Sequence, residues 1–327
     1  MPGIKTHDIT YKLLKRKLNP SLLKEYPNYD DYRLFAQGHD FLIYHNFYKL
    51  RTTEQLNENI EASTLLQEFY FPEFVYSFLH HAELNGCLND EQVRLFIGPG
   101  FITHHIVDAY AHPYIIYYSG DQARDPKNKT WYHGIMENLL DIYFMKKYED
   151  FDYKTPVNHD FIFHTKRLSE KFLKTLNDSI EDVYGIKNSG NIFKTSLGQM
   201  RLYVRALKDD RFALKRKVFD LVDPLLKGTS SFSYNRSEKN LIPDLNLDHM
   251  EWCNPMNGDI KSTDSLIELI DKALTDSAHI IEQLDIMIKS GHIDKEKVLE
   301  LIPNIASTHG LECNQKLKIN FTRRNLG

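Results

Sequence analysis

The sequence predicts an all-α fold, a multi-helix bundle, and two observations carry that expectation. Apolar residues recur at the i, i+3, i+4 spacing of a helix face in ITYKLLKRKL, LLQEFYFPEFVYSFLHH, EQVRLFIGPGFITHHIVDAYAH, HGIMENLLDIYFMKKY and SLIELIDKALTDSAHIIEQLDIMI. No period-two alternation of convincing length competes with them.

Taken in order, the first pattern opens the chain and the second leads to the adjacent His80 and His81, which read as surface residues at a helix end. In the third, Pro99 and Gly100 predict a break or kink just before Phe101. Pro113 follows His112 directly and disfavours helical geometry there, so the helix is expected to end at His112. Ser119 to Thr130, SGDQARDPKNKT, is a polar, turn-rich loop before the fourth pattern. Gly228 to Thr263 is a second irregular tract, read as a surface excursion within one domain spanning 1–327, because Trp252 and Pro255 look placed to pack.

The central helices carry chemistry. His104, Asp108 and His112 are spaced four apart, and at about 100° per residue such positions share one helix face. His133 and Glu137 repeat the i, i+4 device on the next helix. Satisfied core histidines would explain any one of these residues. They do not explain Asp108 among Ile106, Val107, Ala109 and Tyr110, where a carboxylate is costly without a cation or donors. A nitrogen and carboxylate set with no thiolate suits Zn²⁺ in a hydrolytic site better than a structural zinc. His105 points off that face and takes no role. Asp141, one turn beyond Glu137, is either an acceptor for a ligand imidazole N–H or an exposed carboxylate. Tyr110, Tyr114, Tyr117, Tyr118 and Tyr132 crowd the same region. They form either a substrate wall, with a cation over a ring, or plain helix packing, and packing is the better reading.

Composition bounds the rest. A net charge of −4 gives no global basic field for nucleic acid. The basic runs at Lys12 to Lys17 and Leu214 to Lys217 read as solvated helix faces. Cys87, Cys253 and Cys313 show no paired spacing, which fits a reducing compartment. The opening residues lack a secretory h-region and cleavage site, and no apolar run is long enough to span a bilayer, so the protein is expected in the cytoplasm.

GPGFITHHIVDAYAHPYI followed by HGIMENLLD resembles the core of the zinc-dependent phospholipase C family, whose ligands come as H-x-x-x-D, a nearby His, and H-x-x-x-E. The opening MPGIKTHDITYKLL resembles that of its non-secreted bacterial members, and LFAQGHDFLIY their Gly-x-Asp turn. The segment from LDHMEWCNPMNGD onward resembles, more weakly, their W-x-x-P stretch and closing helix. The resemblance implies that His104, Asp108 and Asp40 hold one zinc and that His112, His133 and Glu137 hold another. A third would take His7, a bridging Asp108 and the chain's amino terminus, which here begins Met1-Pro2. The family has one further His between the Asp40 turn and the H-x-x-x-D helix; Gln67, His45, His80 and His81 are the residues that stand near its place.

The resemblance implies a zinc phosphodiesterase of phospholipase C type, with two or three ions, in which zinc-bound hydroxide attacks a phosphodiester. Asp40 would ligate a zinc, orient or deprotonate the water, or do both. A zinc nuclease or nucleotide phosphodiesterase, and a non-catalytic helical protein stabilised by zinc, are the alternatives. A lipid enzyme should expose an apolar rim near the site for peripheral membrane contact, and a nuclease an aromatic slot beside Lys or Arg.

Overall fold

Cap chemistry and burial account for where the helices start and what they face. The computed structural model describes residues 3–45, 62–120, 131–151, 157, 159–163, 167–207, 214–222, 244–313 and 315–318. Among them, α1 (Ile4–Leu14) is buried along most of its length. The short α2 (Pro20–Lys24) starts at Asn19, whose side chain accepts from Ser21 N, with Pro20 in the first turn where no amide partner is lost. A 3-10 segment (Tyr29–Tyr44) follows and is bent at Gly38. After α3 (Phe71–Leu84) and α4 (Glu91–Leu95), a π turn (Phe96–Ile102) leads into α5 (Thr103–Ser119). Next come α6 (Trp131–Tyr148), α7 (Asp160–Phe163), α8 (Glu170–Tyr184), α9 (Ser189–Leu207) and α10 (Leu214–Val222). A hairpin of β1 (Trp252–Asn254) and β2 (Asn257–Ser262) precedes α11 (Leu266–Ser290) and α12 (Lys295–Leu301). Ser265 and Glu268 close a reciprocal capping box on α11. The fold is all-α, as the periodicity predicts.

Helix α5 is buried on almost every side, with only Tyr110 and Tyr117 partly open. It packs against the 3-10 segment, α6, β1 and α11, within one contiguous apolar cluster that runs from Ile4 to Ile302. A helix enclosed this way holds its polar residues at the centre of the molecule. No described helix is long and apolar enough to cross a membrane.

Three expectations change. α5 does not end at His112 but continues through Pro113 to Ser119. A helix proline orphans the carbonyl four residues back, here that of Ala109. Gly310, at φ +67°, comes in against it so closely that a Cβ would lie 2.3 Å from that oxygen. At Pro99 the break, one of the two expected outcomes, does not occur, and a π turn hands over to α5 at Thr103. The tract 228–263 is not wholly irregular, since β1 and β2 pair antiparallel with Trp252 opposite Ser262. Strands this short leave too few residues for an alternation to be read. Trp252 and Pro255 are buried as expected, and residues 228–243 lie outside the described residues.

Candidate metal centre

Three separate segments converge on Asp108. On α5, one turn sets His104 Nε2 3.3 Å from Asp108 Oδ2. α1 brings His7 Nε2 to 3.2 Å from Asp108 Oδ1 and stacks its ring on His104 at 3.9 Å. The 3-10 segment contributes Asp40, whose Oδ1 is 3.6 Å from His104 Nε2. His39 joins from the same turn, with Nδ1 3.3 Å from Asp40 Oδ1 and its ring edge-on to His104 at 4.6 Å. Ligand atoms of His7, Asp40 and His104, and of His39, His104 and Asp108, lie within 4.8 Å of one another in each group.

The imidazoles are aimed. His104 Nδ1 is 2.8 Å from the carbonyl oxygen of Ala36. An N–H must sit there to donate, which leaves Nε2 facing the two carboxylates. His112 Nδ1 is held in the same way, 2.5 Å from the carbonyl of Ser307. His133 Nε2 lies 3.0 Å from Glu137 Oε1, and the rings of His112 and His133 are 5.7 Å apart.

At the centre, His7 Nε2, His39 Nδ1, Asp40 Oδ1, His104 Nε2 and both Asp108 oxygens are buried without a hydrogen-bond partner. Buried polar atoms are ordinarily paired, and leaving a charged one bare costs several kcal/mol. A divalent cation would satisfy nitrogen lone pairs and carboxylate oxygens together, so the donor set fits one. Burial opposes a charge on His104, but the Asp108 and Asp40 carboxylates outweigh it and hold the imidazole up at about 10. Burial likewise opposes ionisation of Asp108, and the His104, His7 and His112 rings keep its carboxyl well below the usual range. His7 and His39 are lowered, chiefly by burial and then by His104. Burial also lowers His112, to about 3. The lowered His7, His39 and His112 and the ionised carboxylates are in the states that ligate metals, whereas His104 would have to give up its Nε2 proton to a cation that it bound.

The residues that steady this centre differ from those expected. Asp141 accepts from Thr6 N at 2.7 Å, Thr6 Oγ1 at 2.8 Å and Lys5 N at 3.3 Å. What it orients is α1, the helix that carries His7. A loop near the C-terminal end works on the other side. Ser307 donates N–H to Gln67 O (2.8 Å), offers its carbonyl to His112 and sets its Oγ 3.3 Å from His39 Nε2. His105 Nε2 lies 2.7 Å from the carbonyl of Ile305, and its ring stacks on Phe71 at 3.6 Å. Its ring lies edge-on to that of His39 at 5.6 Å, but it belongs to neither ligand group.

Of the residues considered for the further imidazole, His80 stacks on Tyr76 and His81 lies 3.7 Å from Asp182, while His45 ends the 3-10 segment. None belongs to either ligand group, and Gln67 meets Ser307 through its backbone. His39 groups with His104 and Asp108, and sequence reading missed it. The available signal was its place between Gly38 and Asp40, immediately before an apolar run. The amino terminus, Met1 and Pro2, lies outside the described residues, as does 121–130 of the expected mouth loop. The tyrosines pack: Tyr110 donates to Asp276, and Tyr114 and Tyr118 to Asp244. The side chain of Tyr132 falls outside the described residues.

Fold and site together define a helical protein with a buried His/Asp cluster able to hold a metal. No family model, curated protein or solved structure matches the chain.

Proposed function

We propose that the protein is a zinc-dependent phosphodiesterase of phospholipase C type acting in the cytoplasm. The observation that supports the reading is the set of unpartnered buried ligand atoms on His7, His39, Asp40, His104 and Asp108, brought together from three parts of the chain. His7, Asp40, His104 and Asp108 would hold metal at the centre with His39 beside them, and His112, His133 and Glu137 would hold it at the edge, with His133 and Glu137 about a quarter exposed. Zinc supplies Lewis acidity towards phosphoryl oxygens and lowers the pKa of a bound water towards about 7. The chain's own part is orientation. Ala36 and Ser307 fix two imidazoles through carbonyls, and Asp141 fixes the helix bearing His7. Asp40 would ligate a zinc, orient a proton on the attacking water, or do both. The lack of paired spacing among Cys87, Cys253 and Cys313 agrees with a reducing compartment.

The test is metal analysis joined to a substrate panel on one zinc-loaded sample: bis-p-nitrophenyl phosphate, phosphatidylcholine, single-stranded DNA and cyclic nucleotides. Stoichiometric zinc with chelator-sensitive hydrolysis of the phosphodiester supports the reading. Bound metal with no hydrolysis of any of them would leave a zinc-stabilised structural protein.

A further inference from the structure

The charge of this chain is unevenly distributed. It carries a net −4, yet α9 and α10 together hold six basic residues, Lys194, Arg201, Arg205, Lys215, Arg216 and Lys217, against one acid, Asp220. The same two helices expose large aliphatic side chains: Leu202 at 50 %, Leu214 at 56 %, Val218 at 58 % and Leu221 at 78 %. Leu214, Val218 and Leu221 follow i, i+4, i+7 spacing, so they form one stripe. By the same geometry Lys215 and Lys217 flank that stripe on its two sides. On α9, Lys194, Leu202 and Arg205 are exposed and fall within one face. The patch is continuous, because the Lys215 ammonium donates to the carbonyl of Arg205.

An aliphatic stripe bordered by lysines is the pattern of a helix lying in a bilayer interface, its apolar face among acyl chains and its ammonium groups reaching back to anionic headgroups. A phosphate backbone would account for the basic residues alone and leave the four exposed aliphatics unexplained. The patch also sits one layer from the metal centre. Tyr203, beside Leu202, meets Tyr44 ring to ring at 5.4 Å, and Phe193 meets Phe41 at 4.7 Å. Tyr44 and Phe41 belong to the 3-10 segment that presents Asp40.

We infer that the exposed face of α9 and α10 docks on an anionic phospholipid surface and brings the metal centre to it. The choice of a membrane phospholipid as substrate rests on the phosphodiesterase reading; the docking itself does not. The experiment is co-sedimentation of the full chain with vesicles of phosphatidylcholine alone and of an equimolar mixture with phosphatidylserine. Binding to the mixed vesicles is expected to be at least about tenfold tighter, at roughly fivefold per basic residue at the surface, and to weaken with salt. Leu214→Ser, Val218→Ser and Leu221→Ser combined should abolish binding while leaving turnover of bis-p-nitrophenyl phosphate unchanged. Lys215→Glu with Lys217→Glu should remove the preference for phosphatidylserine. All these positions are at the surface, and an unchanged circular dichroism spectrum confirms folding. No sedimentation with either vesicle, or equal binding by the serine variant, overturns the inference. So does binding to single-stranded DNA that depends on the lysines but not on the aliphatic residues. Vesicle binding without hydrolysis of the soluble diester leaves the surface standing and overturns the enzymatic reading.

Discussion

Gly38 lies against the ring of His104 with no space between them: a Cβ at Gly38 would fall 2.4 Å from His104 Cγ, and the backbone there stands at φ +49°. The bend that turns Asp40 inward and the ring that faces Asp40 are therefore fixed by one contact. Gly38→Ala adds left-handed strain to a steric overlap, and is expected to destabilise the protein by about 2–4 kcal/mol. Zinc affinity should fall with it, since the displaced ring is the one whose Nε2 faces both carboxylates. Thermal melting and calorimetric zinc titration check this. A variant that melts and binds like the parent would show that the contact does not set the bend.

Asp108 is the residue on which the centre turns, with partners on two helices and neither carboxylate oxygen hydrogen-bonded. A cation that binds only the folded chain stabilises it, by about 2.7 kcal/mol at a hundredfold excess over its dissociation constant. Chelator treatment is therefore expected to lower the melting temperature and zinc to restore it. Asp108→Asn should lose both the bound metal and the response to chelator. Elemental analysis together with a melting curve on each sample tests the pair, and an Asp108→Asn protein with full zinc would remove Asp108 as a ligand.

His105 offers the contrasting case. Its helix register alone suggests that replacing it does little, but the ring is fully buried, stacked on Phe71 and bonded to Ile305 O. Loss of that packing and of the hydrogen bond is expected to cost about 2–4 kcal/mol on His105→Ala, with zinc content per folded chain unchanged. Urea unfolding and metal analysis separate the two effects. Zinc loss out of proportion to unfolding would place His105 in the centre after all.

Asp8 pairs within α1 with Lys5 at 2.9 Å, and ties that helix to the rest of the molecule through Arg33, whose Nε is 2.7 Å from Asp8 Oδ1. Burial works against its ionisation, and Lys5 followed by Arg33 overcome it, so its carboxyl is held below the ordinary value. For a depressed carboxyl the stabilisation is complete above the unfolded pKa of about 4, and is lost as pH falls through the folded value. Stability measured by urea midpoint is therefore expected to drop as pH falls below about 4, and Asp8→Asn should be less stable at neutral pH with a flatter acid limb. Equal acid limbs in parent and variant would count against this cluster as a source of acid sensitivity.

The i, i+4 spacing of His104 and Asp108 was legible because a helix turns spacing into direction, and one turn of α5 sets the two side chains 3.3 Å apart. The helical class was legible for the same reason, in patterns long enough to show a period. What the sequence hid is tertiary. Pro113 stays inside α5, and Gly310, far along the chain, packs against the Ala109 carbonyl it orphans. Ser307 holds His112 and contacts His39 from a loop whose sequence has no period to read. Asp141 has the spacing of a residue that steadies an imidazole, yet it receives the first turn of α1. His39 escaped because adjacent His and Asp on a helix would diverge, whereas here they follow the bend at Gly38 and stay 3.3 Å apart.

Asp40 has two roles available to it, and the geometry favours one. Its Oδ1 is buried, has no hydrogen-bond donor and lies 3.6 Å from His104 Nε2, which is how a ligand that shares an ion with that nitrogen would stand. Its carboxyl is held far below the ordinary range: burial opposes ionisation, and His104 and then His39 outweigh it. A carboxyl so firmly ionised is a poor proton acceptor near neutral pH and a good metal ligand. Asp40→Asn is therefore expected to strip zinc from the site formed with His104, and hydrolysis of bis-p-nitrophenyl phosphate should fall in parallel. Zinc content and turnover measured on the same preparation decide between the roles. Full zinc with a rate reduced about 10²- to 10⁴-fold, the usual scale for a positioned general base, would move Asp40 from holding the metal to handling the proton. Full zinc with full rate would take it out of the chemistry, leaving its burial beside His39 as a matter of folding alone.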